Sequence, residues 1–458
     1  MRVAVVGGGL GGLVAAHGLV SAGFDAHVLE AAPAPGGVIG TSIVDGFVRE
    51  HAASSFLGGP SRGALALCQE LGIEVEAASP RAKTRWIYID GKLRALPRNP
   101  IDFLRSDLLT WRGKLALLRE PLAPRKGTED ESIHAFAARR FGAEAARAIV
   151  APFVTGIFAA DSHAISLEAG FPRLAQFDAE GGVVRSAAKQ VGKSLLVKLS
   201  GKRTAKTPSG MWAPAGGLGS LVEALTTKLG PRIRTHRRIR TIAPAPATAG
   251  VLVDNERWDA VVLATPAHEG ASLVDDAMPE LASRLRVFER APVALVYLGL
   301  PADSVPRASD GFGFLTAQGE DLRVLGVVFE STVWSNRAPE GQALLRCIFG
   351  GGRDPDATKL TDAELIEHAL RDVAKAFAST KKSRGAMTTL PAPTHASVIR
   401  WSHGIAQYPV GHRDYVRAAV AAGRVHRIAL AGADYRGAGV NDLCADRDVI
   451  VSELRTWS

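Results

Sequence analysis

Residues 2–30 read Arg2-Val-Ala-Val-Val6-Gly7-Gly8-Gly9-Leu10-Gly11-Gly12-Leu-Val-Ala-Ala-His17-Gly18-Leu-Val-Ser-Ala22-Gly23-Phe-Asp25-Ala-His-Val-Leu29-Glu30. The β-branched run Arg2–Val6 predicts a strand, the apolar stretch Leu10–Ala22 a helix closed by Gly23, and Asp25–Leu29 a second strand. Gly7, Gly9 and Gly12 then stand as G-x-G-x-x-G between a strand and a helix, the setting in which that spacing has chemical meaning. Glycine permits the tight turn and lets a diphosphate approach backbone N–H groups at a helix N-terminus. Glu30, closing the second strand, is placed to accept hydrogen bonds from an adenosine ribose. The unit predicts a bound dinucleotide.

A second glycine pair follows at once in Pro35-Gly36-Gly37-Val38-Ile39-Gly40-Thr41. Here the backbone again passes close to the nucleotide, where nicotinamide enzymes usually enter a helix, so FAD is expected over NAD. A third Gly-rich turn lies near the end, Gly432-Ala433-Asp434-Tyr435-Arg436-Gly437-Ala438-Gly439-Val440-Asn441-Asp442, after the strand Arg427–Ala431 and before a terminal helix. The positive N-terminal end of that helix is suited to negative charge on a reduced flavin.

The 458 residues allow two or three domains. Hydrophobic residues at 47% and charged ones at 22% exclude wholesale disorder. A net charge of +9 favours anionic partners, but aromatics at 6% show no interleaving with basic residues, so nucleic acid is not expected. Cys68, Cys347 and Cys444 are far apart and read as small buried hydrophobes, with no metal site. No window offers the roughly eighteen consecutive apolar residues of a membrane span. The expected location is cytoplasmic, or peripheral on the cytoplasmic face of a membrane.

Residues 81–206 read mainly as helices, with a capping box at Thr128-Glu129-Asp130-Glu131 ahead of Ile133, Phe136 and Ala137. Between Arg185 and Lys206 stand seven Lys/Arg and no acid, interleaved with Leu195, Leu196, Val197 and Leu199. A solvated segment is one reading and contact with acidic lipid the other. A helix with Leu221, Leu225 and Leu229 follows, then strand-like Arg234–Ile242 and Trp258–Ala264. Residues 291–415 read as strands around one helix, Asp362–Phe377, opened by the capping box Thr361/Glu364. The expected fold is α/β: a Rossmann-like FAD-binding domain built from discontinuous segments (1–80, 207–290, 416–458), a mixed-sheet substrate domain (291–415) and a mainly helical, membrane-associated domain (81–206).

Taken together, the chain resembles the protoporphyrinogen oxidase family of the amine oxidase-like flavoproteins. The likeness rests on the opening VVGGGLGGL, PGGVIGT, Thr84–Tyr88 (TRWIY), Leu96–Leu104 (LPRNPIDFL), Thr155–Asp161 (TGIFAAD), Gly311–Leu315 (GFGFL), Gln407–His412 (QYPVGH) and the turn ending Val440-Asn441-Asp442. It implies six-electron oxidation of a porphyrinogen with FAD and molecular oxygen. It implies that Arg85 pairs with a substrate propionate, that Phe312, Leu315, Leu325 and Ile348 line the macrocycle pocket, and that Gly156 runs close to the flavin. Ile239 falls where an aliphatic residue's backbone contacts the adenine. Cofactor contacts are expected at Gly7, Gly9, Leu10, Gly11, Gly12, Glu30, Gly36, Gly37, Val38, Ile239, Gly432, Ala438, Val440 and Asn441.

A large apolar ring with carboxylates on its edge needs aliphatic walls and a guanidinium, and the hydride chemistry belongs to the cofactor. Protoporphyrinogen leads; coproporphyrinogen, an amine oxidase or desaturase, and a non-catalytic flavoprotein stay open. An amine oxidase usually wants an aromatic cage, and the chain has five tyrosines. A homodimer and peripheral membrane contact are further expectations. Three segments depart from the family pattern: His51–Ser55, Val38-Ile39 and Cys444–Arg447.

Overall fold

In the computed structural model, which describes residues 1–59, 63–124, 129–186, 209–246, 250–305, 310–379 and 389–457, the opening unit forms a strand Arg2–Val6, a helix Leu10–Ser21 and a strand Asp25–Leu29. The first strand is buried from Val3 to Val6 and the helix is apolar on nearly every side, as an element enclosed by others must be. The parallel sheet they start has five strands in the order Ile233–Arg234, Asp25–Leu29, Arg2–Val6, Ala260–Leu263, Ile428–Leu430. Distant parts of the chain thus supply one sheet, with its strands ending at a common edge beside Gly7, Glu30, Ala264 and Gly432. In open parallel sheets ligands bind at that edge.

Two strands near this edge are shorter than their sequence suggests. From Arg234 the ladder stops, and the chain wraps Glu30: the Glu30 amide donates to the Arg234 carbonyl at 3.0 Å and the Arg237 amide to the Glu30 carbonyl at 2.8 Å. Four basic side chains between His236 and Arg240 cannot enter a sheet interior, so the backbone turns at His236 (φ 53°) and buries only Ile239. Trp258 belongs to a separate hairpin, Val251–Val253 with Glu256–Trp258. Asp259 ends that hairpin, its carboxylate accepting from the Arg2 amide at 2.6 Å, and the strand of the five-stranded sheet begins at Ala260.

The second sheet has seven strands in the order His395–Ala406, Arg290–Pro301, Gln342–Gly350, Gly326–Val328, Gly313–Thr316, Arg85–Ile89, Lys92–Ala95. Residues 85–95, read from the sequence within the helical stretch, are two of its strands. Arg85, Trp86, Ile87 and Tyr88 find parallel partners in Gly313–Thr316 more than two hundred residues on, a pairing no local pattern announces. One face is covered by the helix Asp362–Ala378 through Leu365, Ala369, Val373 and Phe377. Its capping box is made: the Glu364 amide donates to Thr361 Oγ1 at 3.3 Å and the Thr361 amide to Glu364 Oε2 at 2.7 Å.

Helices Pro100–Arg105, Trp111–Leu118, Ile133–Phe141, Ala151–Phe158 and Pro172–Ala179 form the third unit. The helix at Ile133 is capped by Ser132, whose hydroxyl accepts from the Ala135 amide at 3.1 Å. Glu131, assigned to a capping box from sequence, instead pairs with Arg139. Thr128, and the basic-aliphatic stretch from 187 to 206, lie outside the described residues.

Candidate functional site

A cavity of about 940 Å³ lies at the carboxyl edge of the parallel sheet and runs onto the open face of the seven-stranded sheet. One end is built by the glycine turn. Gly7 has φ +107°, and a Cβ there would sit 2.9 Å from the Ala264 carbonyl. Gly12 is more constrained, since its Cβ would lie 2.0 Å from the Gly7 oxygen. Gly9 is the opposite case: nothing lies within 4 Å of its missing Cβ, so the absent side chain leaves a cradle at the N-terminus of Leu10–Ser21. Gly432 (φ +112°) leaves a second open cradle on the facing turn. These openings, flanked by helix N-termini, fit the diphosphate of a dinucleotide.

The second glycine pair docks against the first. The Gly36 amide donates to the Gly8 carbonyl at 2.8 Å, and a Cβ on Gly37 would meet the Gly9 Cα at 3.2 Å. Glu30 accepts from the Gly8 amide at 2.6 Å and the Ala32 amide at 2.7 Å, which fixes its carboxylate at the rim with lone pairs left for ribose hydroxyls. Across the cavity, Arg290 grips Asp434 through Nε at 2.9 Å and a terminal nitrogen at 3.0 Å. Asp434 also accepts from the Ala267 amide at 2.8 Å. One carboxylate therefore joins the seven-stranded sheet, the helix Ala267–Val274 and the C-terminal turn.

Of the residues expected from sequence, Gly7, Gly9, Leu10, Gly11, Glu30, Gly36, Gly37, Val38, Ile239, Gly432, Ala438 and Val440 line this cavity. Gly12 lies beneath it as the contact between helix and strand. Asn441 is turned away, its amide donating to the Leu57 carbonyl at 2.7 Å and its oxygen accepting from the Ala64 amide at 2.9 Å. It caps the short helix Ala64–Glu70.

Gly156 and Ile348 line the far end with Ile157, Ala159, Val293, Leu295 and Trp401. Two other expected substrate residues, Arg85 and Leu315, share their sheet face. Directly paired residues point the same way. The register puts Ile87, Leu315, Gly326, Ile348 and Leu295 in one row. The neighbouring row on that face is Arg85, Gly313, Val328, Arg346 and Tyr297. Leu315 reaches Gly156, where a Cβ would lie 2.7 Å from its Cδ2. Leu325 does not line the cavity but is buried against Ala159 and Val293, which do.

The Arg85 guanidinium lies 5.0 Å over the Phe312 ring and has no carboxylate partner among the described residues. Burial holds its pKa below the usual arginine range. Sequence reading passed over Arg237, Arg238, Arg346 and the stacked pair His268/His403, whose rings are 4.2 Å apart at the cavity wall. Burial, and then the neighbouring His403, lower the His268 pKa. No local motif marks any of them; only the meeting of separate strands does.

A family model described as flavin containing amine oxidoreductase matches residues 10–442. Among curated proteins the chain is 28% identical to a chloroplastic protoporphyrinogen oxidase from Oryza sativa subsp. japonica, over 91% of this chain and 81% of that one. It is 25% identical to coproporphyrinogen III oxidase of Bacillus subtilis (strain 168), over 100% and 98% of the two chains. Among solved structures it superposes on one from Exiguobacterium sp. 255-15, provisionally named a protoporphyrinogen oxidase. The TM-score is 0.78 at 23% identity, covering 99% of each chain.

Proposed function

The chain belongs to the flavin containing amine oxidoreductase family and is an FAD-dependent oxidoreductase, and from that premise we propose that it oxidises protoporphyrinogen IX to protoporphyrin IX with oxygen as electron acceptor. FAD, when bound, supplies the hydride acceptor. The chain's own residues do the rest. The Gly7–Gly12 turn and the helix at Leu10 would hold the diphosphate, Glu30 the ribose, and Ile239 the adenine. Val440, at the N-terminus of the helix Val440–Arg455, brings a positive helix end to the flavin side of the cavity. Leu315, which reaches Gly156, with Ile348 and Leu295 offers an aliphatic wall that excludes water from the reacting carbon.

The observation that supports this reading is the sheet face itself. It joins an apolar row, continuous with the cavity, to a half-buried guanidinium that has no carboxylate partner among the described residues. That combination suits a large apolar ring bearing carboxylates. Substituting Arg85→Ala is expected to raise KM for a porphyrinogen about 10- to 100-fold, the equivalent of one charge-assisted contact, while FAD content and kcat change little. Steady-state kinetics with anaerobically prepared porphyrinogen check it, and an unchanged KM removes Arg85 from the site. Coproporphyrinogen III, the substrate in the name of the Bacillus relative, is the second reading; its faster turnover by pure protein would replace the first. An amine substrate is disfavoured by the cavity wall, where Trp401 is the only indole or phenyl-type ring among the described lining residues.

We also infer that the helical unit rests on acidic lipid. Ile101, Leu104, Trp111, Leu115, Leu118 and Leu122 are all exposed on consecutive helices, interleaved with exposed Arg98, Arg105, Arg112 and Arg119. Apolar side chains with a basic rim suit an interfacial site. Flotation with phosphatidylserine vesicles at low salt is expected to carry the protein upward, and Trp111→Asp with Leu115→Asp to abolish this. Protein that stays at the bottom in low salt refutes the inference. No helix among the described residues is long and apolar enough to cross a membrane.

A further inference from the structure

Behind the cavity wall at Ala52 and Ala53 lies a set of buried charges that substrate recognition does not explain. Arg346 stands on the strand Gln342–Gly350 and lines the cavity. Its guanidinium donates to the Ala52 carbonyl at 2.6 Å and to Ser54 Oγ at 2.9 Å. Its Nε lies 2.9 Å from Glu330 Oε1, and the two side chains are 8% and 2% exposed. A step along the same segment, Tyr297 Oη donates to the Glu50 carbonyl, and a terminal nitrogen of Arg337 lies 3.4 Å from Glu50 Oε1. Residues 50–54 are therefore held from the substrate sheet by buried polar groups.

A buried ion pair adds little to stability compared with apolar residues of the same volume, because desolvation offsets the attraction. One placed at the wall of a cofactor cavity acts instead through geometry and field, since charge is weakly screened in a low-dielectric interior. Flavin reduction adds negative charge to the ring system. A fixed guanidinium at the wall favours the reduced form, and the paired carboxylate opposes it.

We propose that Arg346 is a positioning residue for the flavin, fixing the Ala52–Ser54 wall, and that the Arg346–Glu330 pair sets the reduction potential of the bound cofactor. The proposal rests on FAD binding and is independent of which porphyrinogen is oxidised. It is tested on the FAD-loaded protein by spectroelectrochemical titration against a reference dye. Arg346→Met is expected to move the potential negative and Glu330→Gln to move it positive. Both substitutions break the same ion pair, so a merely structural role would move the two variants the same way. That result, or no shift in either, overturns the proposal. Arg346→Lys keeps the charge but loses the two-pronged contact with Ala52 and Ser54. Its potential is expected to stay with the parent protein while its FAD dissociation constant rises about tenfold. A lysine variant whose potential follows the methionine variant refutes the electrostatic part, and one with unchanged FAD affinity refutes the positioning part. Loss of porphyrinogen turnover with the potentials ordered as expected would count against the substrate reading alone.

Discussion

Gly9→Leu is expected to give a folded protein that purifies without its yellow cofactor. The backbone at Gly9 is extended (φ −65°), a conformation any residue adopts, and no atom lies within 4 Å of a Cβ built there. The side chain therefore costs the fold little. It projects instead into the cradle at the helix N-terminus, the place a diphosphate needs for contact with backbone N–H groups. Losing that approach is expected to weaken FAD binding by at least about 100-fold, close to 3 kcal/mol. Gly12→Ala serves as the contrasting case. Its methyl would stand 2.0 Å from the Gly7 oxygen, a backbone atom that cannot move without parting helix from strand. That variant is expected to be insoluble or strongly destabilised. Circular dichroism and flavin absorbance separate the two outcomes. A Gly9→Leu protein that retains FAD at the parent level would displace the diphosphate from this turn.

Asp178→Ala is expected to destabilise the protein by about 3–5 kcal/mol, the range seen when one partner of a buried ion pair is removed. Arg140 and Asp178 are 1% and 4% exposed, and Glu120 beside them is fully buried. Asp178 also accepts from Arg139 at 2.8 Å, while Glu120 accepts from the amides of Val183 and Val184 at 2.8 and 3.1 Å. The cluster ties Ile133–Phe141 to Pro172–Ala179 and to the turn at Glu120–Leu122. Without the Asp178 carboxylate, two guanidiniums in the unit lose their main partner. The damage is expected in the helices, with the parallel sheet and its FAD retained. Thermal unfolding gives the magnitude, and limited proteolysis shows where the chain opens. Cuts confined to other units would contradict this assignment.

Much of the nucleotide end was legible because its constraints are local. A β-branched run, glycines at fixed offsets, an apolar helix and a terminal acid specify the first unit almost alone, and the capping box at Thr361 and Glu364 marks its helix as plainly. Elsewhere local reading went astray for identifiable reasons. Thr128–Glu131 has the letters of a capping box, but Ser132 holds the cap and Glu131 turns to Arg139. Asn441 sits beside a cavity-lining valine, yet its amide is committed to Leu57 and Ala64, residues nearly four hundred positions earlier.

The sequence by itself determined that a strand, glycine turn and helix open the chain, that a second and third glycine turn return to it, and that an α/β architecture follows. These features depend on steric freedom at single residues and on periodicity within single elements. Only the tertiary structure decided that Arg85–Ala95 joins the seven-stranded sheet, that Arg85 shares a row with Arg346, and that Glu330 stands behind the Ala52 wall. Those facts come from strand register and long-range burial, which set side chains hundreds of residues apart within hydrogen-bonding distance and leave no trace in any short window of sequence.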